Sequence, residues 1–338
     1  MIRISKRQSY VIQKSLRYCM VLIIILSINF LLPRMMPGDP VYTLLGHDGY
    51  EKGSHANQAF IDSLRAKYGL DKPLYEQYII YFLSLAHNDL GYSIQKGSSV
   101  ADLITDKLLW TILLLMPSIA VGELLALLLG TIAGFNQGRK IDGIITSVCV
   151  FVHTVPAFLM AMIFMRVFSY HLSWFPLGHF TGGTSEGIDY FFDAAWHMAL
   201  PMIILVLIEV TYTFFVVRNS IMQINDEYFI FVARSKGLSD TLIAFRHVMK
   251  NVLPQFISMA ALGFSYMVSG ALIIEIVFSL DGMGTLIYDA VMARDYPVMQ
   301  GSFLVITIAV ISMNFLAEML YGLVDPRVSD PGFVQSRW

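Results

Sequence analysis

Six stretches of this 338-residue chain are long and apolar enough to cross a bilayer, and this constrains the fold more than any other feature. A helix needs about 20 apolar residues to span the hydrocarbon core. The runs lie at about 17–36, 109–135, 144–170, 196–217, 252–278 and 301–324. Inside lipid the backbone must satisfy its own N–H and C=O groups, so such runs form helices. The expectation is an all-α polytopic membrane protein with six transmembrane helices. Composition agrees: 56% of residues are hydrophobic, 14% are charged, and mean hydropathy is +0.62. A soluble domain is nearer one-quarter charged. A net charge of −2 gives a nucleic-acid role no electrostatic support. Cys19 and Cys149 sit in apolar runs without metal or disulfide spacing, as small hydrophobes do. The basic start followed by an apolar run has the outline of a signal peptide. It lacks a small-residue cleavage site and runs on into Leu31-Leu32, which predicts an uncleaved first span.

Positive charge predicts orientation, because short cytoplasmic connections carry the excess of Lys and Arg. Arg3, Lys6, Arg7, Lys14 and Arg17 precede or open the first span. Arg139 and Lys140 lie between spans two and three, and Arg218, Arg234, Lys236, Arg246 and Lys250 between spans four and five. The connection 171–195 has no Lys or Arg, and the one after span five has only Arg294. This predicts a multi-pass protein of the cell membrane with both termini cytoplasmic. The expected order is a cytoplasmic N-terminus at 1–16, span one at 17–36 and an external segment at 37–107. A transmembrane core at 108–327, carrying a cytoplasmic loop at 218–251, and a cytoplasmic tail at 328–338 follow. Within the external segment, 58–68 and 74–86 read as helices.

The loop after span four is a polar island, running from Asp226 to Asp240 and on through Phe245-Arg246-His247 to Leu253-Pro254. Leu238, Leu242, Ile243, Phe245, Val248 and Met249 recur at near-helical spacing. Gly237 permits a tight turn between two short helices, since glycine tolerates positive φ. Periodicity alone fits two readings equally: a helix–turn–helix that enters a partner's groove, or an amphipathic helix lying on the lipid surface.

Ionisable residues inside spans are costly unless they face a cavity or a partner. Glu123, Arg166, Glu209, Glu275 and Glu318 fall in or near spans. Arg166 and Glu318 are close enough to span ends to snorkel. Glu209 and Glu275 are the stronger candidates for a pathway or a subunit interface. His153, beside Thr154 and Pro156, reads as a packing histidine that could also line a pathway. Pro117, Pro156 and Pro201 lie within or beside spans, where a proline removes a backbone donor and can kink a helix. The sequence has no Gly-x-x-x-x-Gly-Lys-Ser/Thr, no His-Glu-x-x-His and no arguable nucleophile–base pair. The expectation is a chain without catalytic residues, metal site or cofactor of its own.

The island resembles the loop by which permease subunits of ABC importers engage their ATPase, in the dipeptide, oligopeptide and nickel branch. Tyr228, Ala233, Arg234, Lys236, Gly237, Arg246, His247, Asn251 and Pro254 fall on that pattern, with Phe231 where the wider motif has glutamate. Pro37-Gly38-Asp39-Pro40, Tyr68-Gly-Leu-Asp-Lys-Pro-Leu74, Asp89-Leu-Gly-Tyr-Ser93 and Asp325-Pro326-Arg327 are similar to the same branch, in the same order. The resemblance implies a type I ABC importer-like fold and favours docking, centred on about 239–247 with Leu238 and Phe245. It implies a second homologous permease, two ATPase subunits that bind ATP and Mg, and a solute-binding protein that delivers cargo. Asp39, Asp281 and Asp295 then become candidates for the external gate or binding-protein contact. Peptide cargo is favoured over nickel, a metal chelate or an oligosaccharide. A stand-alone secondary transporter is the rival from another class; it calls for inverted repeats or broken helices with ion sites.

Overall fold

The computed structural model describes residues 6–38, 41, 55–181 and 187–324. Among them the structure is helical, apart from a single antiparallel bridge between Tyr92 and Ser99. Helix α1 is Lys6–Met35, α2 His55–Lys67, α3 Leu74–Ala86 and α4 Val100–Phe135. Helix α5 is Lys140–Thr154, and α6, Ala157–Phe164, runs on in π-helical form over Met165–His171. Helix α7 is Ile188–Asn225 and α8 is Tyr228–Ser235. Helix α9, Asp240–Ile243, passes through a π-helical turn, Ala244–Val248, into α10, Met249–Val277. Helix α11 is Met283–Ala293 and α12 is Tyr296–Val324.

Five helical segments are long and apolar enough to cross a membrane: Ser15–Met35, Val100–Phe135, Ile188–Asn225, Arg246–Val277 and Tyr296–Leu320. The pair α5 and α6 makes a sixth, bent by 98°. Six spans are therefore present, but the third is not the single run expected over 144–170. Val155, with ψ 122°, leaves the helix just before Pro156. Proline's ring crowds the residue before it out of the helical region, and proline has no N–H to continue the ladder. Two further differences concern lengths and connections. Helix α7 outruns the expected 196–217 at both ends, and α11 fills what reads in the sequence as a loop.

The chain divides into two compact units. One comprises 1–15, 112–280 and 310–338. Its main feature is a glycine seam between α4 and α7. Gly122, Gly130 and Gly134 lie on one face of α4, since residues four apart stack along a helix. A Cβ on Gly122 would sit 2.7 Å from the Cβ of Glu209. On Gly130 and Gly134 it would sit 2.8 Å from the Cβ atoms of Val217 and Ile221. Small residues let helix backbones approach closely in lipid, where apolar burial no longer drives association. Beside the seam, Ala133, Cys149, Val210 and Phe214 form a buried cluster joining α4, α5 and α7.

The other unit comprises 16–111 and 281–309. Val100 and Ile104 of α4 pack with Met283, Leu286 and Ala290 of α11 and Met299 of α12. Specific polar bonds hold the rest. Asn29 Nδ2 donates to the Gln300 carbonyl at 2.9 Å. Arg34 donates through Nε and Nη2 to Gln77 Oε1, at 3.0 and 2.9 Å, and lies 3.7 Å over the Phe30 ring. Burial pushes the Tyr81 phenol of α3 up to about 12, so it stays neutral beside Asn29.

Candidate coupling loop and buried carboxylates

The loop between α7 and α10 is a helix–turn–helix with a core of its own. After α8, Gly237 takes φ +77°, a left-handed conformation that glycine adopts without a side-chain clash. Its Cβ position faces open space, so the backbone angle, not crowding, is what requires glycine there. Ile230, Ala233, Ile243 and Val248 are buried with Val217 and Ile221 of α7 and Val252 of α10, and Leu238 packs against them. Ile243 and Val248 of the apolar stripe, with Leu238, thus face the protein, while Leu242 is 42% exposed. Pro254 lies within α10, whose helix is continuous with the second arm of the loop.

The exposed residues of the loop are mainly aromatic and basic, with Asp240 and Leu242 among them. Tyr228 is 77% exposed and Phe231 66%, with their rings stacked at 6.3 Å. Arg234, Lys236 and Arg246 are exposed, and His247 is half-buried. Arg234 Nε lies 3.3 Å from Asp240 Oδ1, bridging the turn. Phe245 belongs to the π-helical turn, and its side chain lies outside the described residues.

A buried ion pair braces the base of this loop. Arg218, near the end of α7, donates to Asp142 of α5 through Nε at 2.6 Å and Nη2 at 2.8 Å. Asp142 also accepts from the Gly138 N–H at 3.0 Å and the Thr146 hydroxyl at 3.2 Å. A bidentate guanidinium–carboxylate pair fixes angle as well as distance. Sequence reasoning missed Asp142. The available signal was one acid and one arginine at ends of apolar runs that face the same side.

Within the same unit Glu209 has no solvent exposure, and Glu123 has 7%. Glu123 Oε1 accepts from the Thr213 hydroxyl at 3.0 Å. Glu123 Oε2 and both oxygens of Glu209 have no hydrogen-bond partner among the described residues. Glu275 is also fully buried, on α10. His153 is exposed on α5, with Nδ1 3.5 Å from the Thr211 hydroxyl and its ring edge-on to Tyr212.

The three aspartates expected at an external gate separate. Asp281 is exposed and paired with Lys107. Asp295 is 3% exposed and used internally. It accepts from the Ser93 hydroxyl at 2.5 Å and from the Ile94 and Gln95 N–H groups at 3.1 Å. Its Oδ1 also reaches the Val298 N–H at 3.5 Å, at the start of α12. It is a pin between segments of its unit, not a surface contact. Asp39 and the Asp325-Pro326-Arg327 motif lie outside the described residues.

Two family profiles match the chain. "Binding-protein-dependent transport system inner membrane component" covers residues 126–330, and the corresponding N-terminal profile covers residues 8–115. The di/tripeptide transport system permease protein DppB of Pseudomonas aeruginosa is 30% identical over 317 residues, covering 89% of this chain and 93% of its own. A protein of Brucella abortus named for a peptide transport system permease is 31% identical, over 91% of this chain and 95% of its own. The glutathione transport system permease protein GsiC of Escherichia coli is 29% identical, over 95% of this chain and 98% of its own. Among solved structures, an inward-facing form of the MetNI methionine ABC transporter matches with a TM-score of 0.54 at 15% identity. That match covers 66% of this chain and 96% of the solved chain, and at such identity it speaks to fold alone.

Proposed function

Because the chain belongs to the family of binding-protein-dependent transport system inner membrane components, we propose that it is one of two permease subunits that together enclose a pathway for small peptides. Peptide cargo rests on the names of its relatives, two of which are permeases for di/tripeptides and glutathione. An external solute-binding protein delivers the cargo. ATP and Mg bind to two partner ATPase subunits, one of which docks on residues 228–248. Both termini are cytoplasmic, as the Lys and Arg distribution favours.

The observation that carries the docking assignment is the two-sided character of the loop. Ile230, Ala233, Ile243 and Val248 are consumed in its own core, yet Tyr228 and Phe231 remain more than half exposed beside Arg234, Lys236 and Arg246. Exposed aromatic and arginine side chains are the residue types that dominate interface energetics. A rigid lever with such a surface transmits motion because its partner contacts it differently in the two states; equal contact in both would shift nothing. The bent α5–α6 span and the proline-containing α4 and α7 supply helices that can repack.

The test is co-purification of tagged chain from its native membrane, comparing wild type with Phe231→Asp and Arg246→Glu. Both side chains are exposed, so insertion is expected to survive. The expected result is loss of ATPase subunits from the variants alone. Equal recovery of ATPase in all three would sink the docking assignment. Uptake of labelled dipeptides, tripeptides and nickel ions by cells with and without the chain then decides the cargo.

A further inference from the structure

We propose that Glu123 and Glu209 form a proton-binding site, in which one shared proton links α4 to α7 inside the transmembrane core. Neither the identity of the cargo nor the place where an ATPase docks bears on this site.

Two glycines lie against Glu209. Gly122 of α4 lies against its Cβ and Cγ, and Gly263 of α10 lies against its carboxyl group. A Cβ on Gly122 would come within 2.7–2.9 Å of those two carbons, so the two glycines make a cradle shaped to this side chain. Glu123, the residue after Gly122, brings the second carboxyl to the same place. The Thr213 hydroxyl is one turn along α7 and is already given to Glu123 Oε1. Three carboxyl oxygens thus remain buried without a donor among the described residues.

Two carboxylates buried side by side cannot both be ionised. Each charge is costly in lipid, and like charges at close range repel strongly because little water screens them. A proton on either carboxyl supplies the missing donor, turning an unpaired acceptor pair into an O–H···O⁻ bond, the shorter and stronger class of hydrogen bond. The surrounding elements offer no competing charge at this point. Helix α10 presents Gly263, α7 presents Thr213, and the nearest imidazole described on α5, His153, is occupied with Thr211 and the Tyr212 ring. The ligand is therefore a proton, and the site belongs to the pair.

The sign of the pH effect follows. With the proton bound, the link between α4 and α7 is made. As pH rises the proton is lost, two like charges face each other at the close end of the glycine seam, and the seam loosens. Infrared spectra of the assembled complex in lipid nanodiscs, in H2O and D2O at neutral pH, test this. The expected result is a protonated-carboxyl band that shifts in D2O and disappears in Glu123→Gln and in Glu209→Gln, because an amide neighbour can donate to the remaining carboxylate. Thermal unfolding gives a second readout: the wild-type midpoint falls from mildly acidic to alkaline pH, while the Gln variants lose that fall. If one variant does not insert, the other carries both readouts. No band in the wild type, or a band that survives in either single variant, overturns the shared proton.

Discussion

The helix–turn–helix at 228–248 and the irregular segment at 87–99 are both connections tied to long helices, yet they are held by opposite means. The loop is held by apolar burial: Ile230, Ile243 and Val248 have no exposure, and the side-chain hydrogen bonds of Arg234, Ser235 and Ser239 lie at its surface. The 87–99 segment is held by polar bonds, its own backbone bonds and those of one carboxylate, Asp295, which gathers a hydroxyl and two backbone N–H groups from Ser93, Ile94 and Gln95. Apolar burial is non-directional and spread over many atoms, so it leaves the outer face of the loop free for other uses. A carboxylate pin is directional and local, so it sets the path of a segment that has few apolar residues to bury.

The comparison breaks first in the loop. Ile243→Ala removes a fully buried side chain from the core that joins α8, α9 and the ends of α7 and α10. The expected cost is about 2–5 kcal/mol, the range for Ile→Ala in a packed interior. The measurement is the thermal midpoint of the purified chain in detergent, together with protease sensitivity at 226–248. A change confined to ATPase affinity with an unaltered midpoint would show that the loop does not depend on its core.

A smaller effect is expected at the pin. Asp295→Ala leaves the Ile94 and Gln95 N–H groups without their acceptor. Leaving a buried donor unsatisfied costs about 1–3 kcal/mol. Asp295→Asn keeps one acceptor oxygen and should recover part of this. The check is hydrogen exchange at residues 93–98, which should accelerate in the alanine variant and less in the asparagine one. Uniform acceleration across the chain would mean that the pin stabilises the whole molecule and not one segment.

The same contrast explains what could be read in the sequence. Helix α3 falls at the expected 74–86, and the six spans and the turn at Gly237 follow from apolar run length and glycine chemistry. Such signals are repeated along the chain and survive the change of any one residue. Asp295, Asp142 and the Glu123–Glu209 pair were not legible as contacts. Each depends on a single group meeting a partner 76 or more positions away in sequence, and nothing periodic announces it. Asp295 in particular resembles an exposed loop acid until residues 93–95 and the start of α12 are seen to meet its carboxylate. The bend in the third span lies between these cases: Pro156 was visible, but its size, 98°, depends on how α5 and α6 pack.

The smallest effect is expected where the loop does use charge. Arg234 and Asp240 face each other across the Gly237 turn at 3.3 Å, with 47% and 75% of their side chains exposed. Exposed pairs of this kind contribute about 0.2–1 kcal/mol and weaken with salt. Asp240→Ala should therefore leave the thermal midpoint nearly unchanged and remove only a salt-dependent increment. It should still free the Arg234 guanidinium on the exposed face. If ATPase recovery rises in low salt while stability stays constant, the ion pair restrains a docking arginine. If stability falls as far as in Ile243→Ala, surface charge and not the apolar core holds the turn, and the division between the two regions fails.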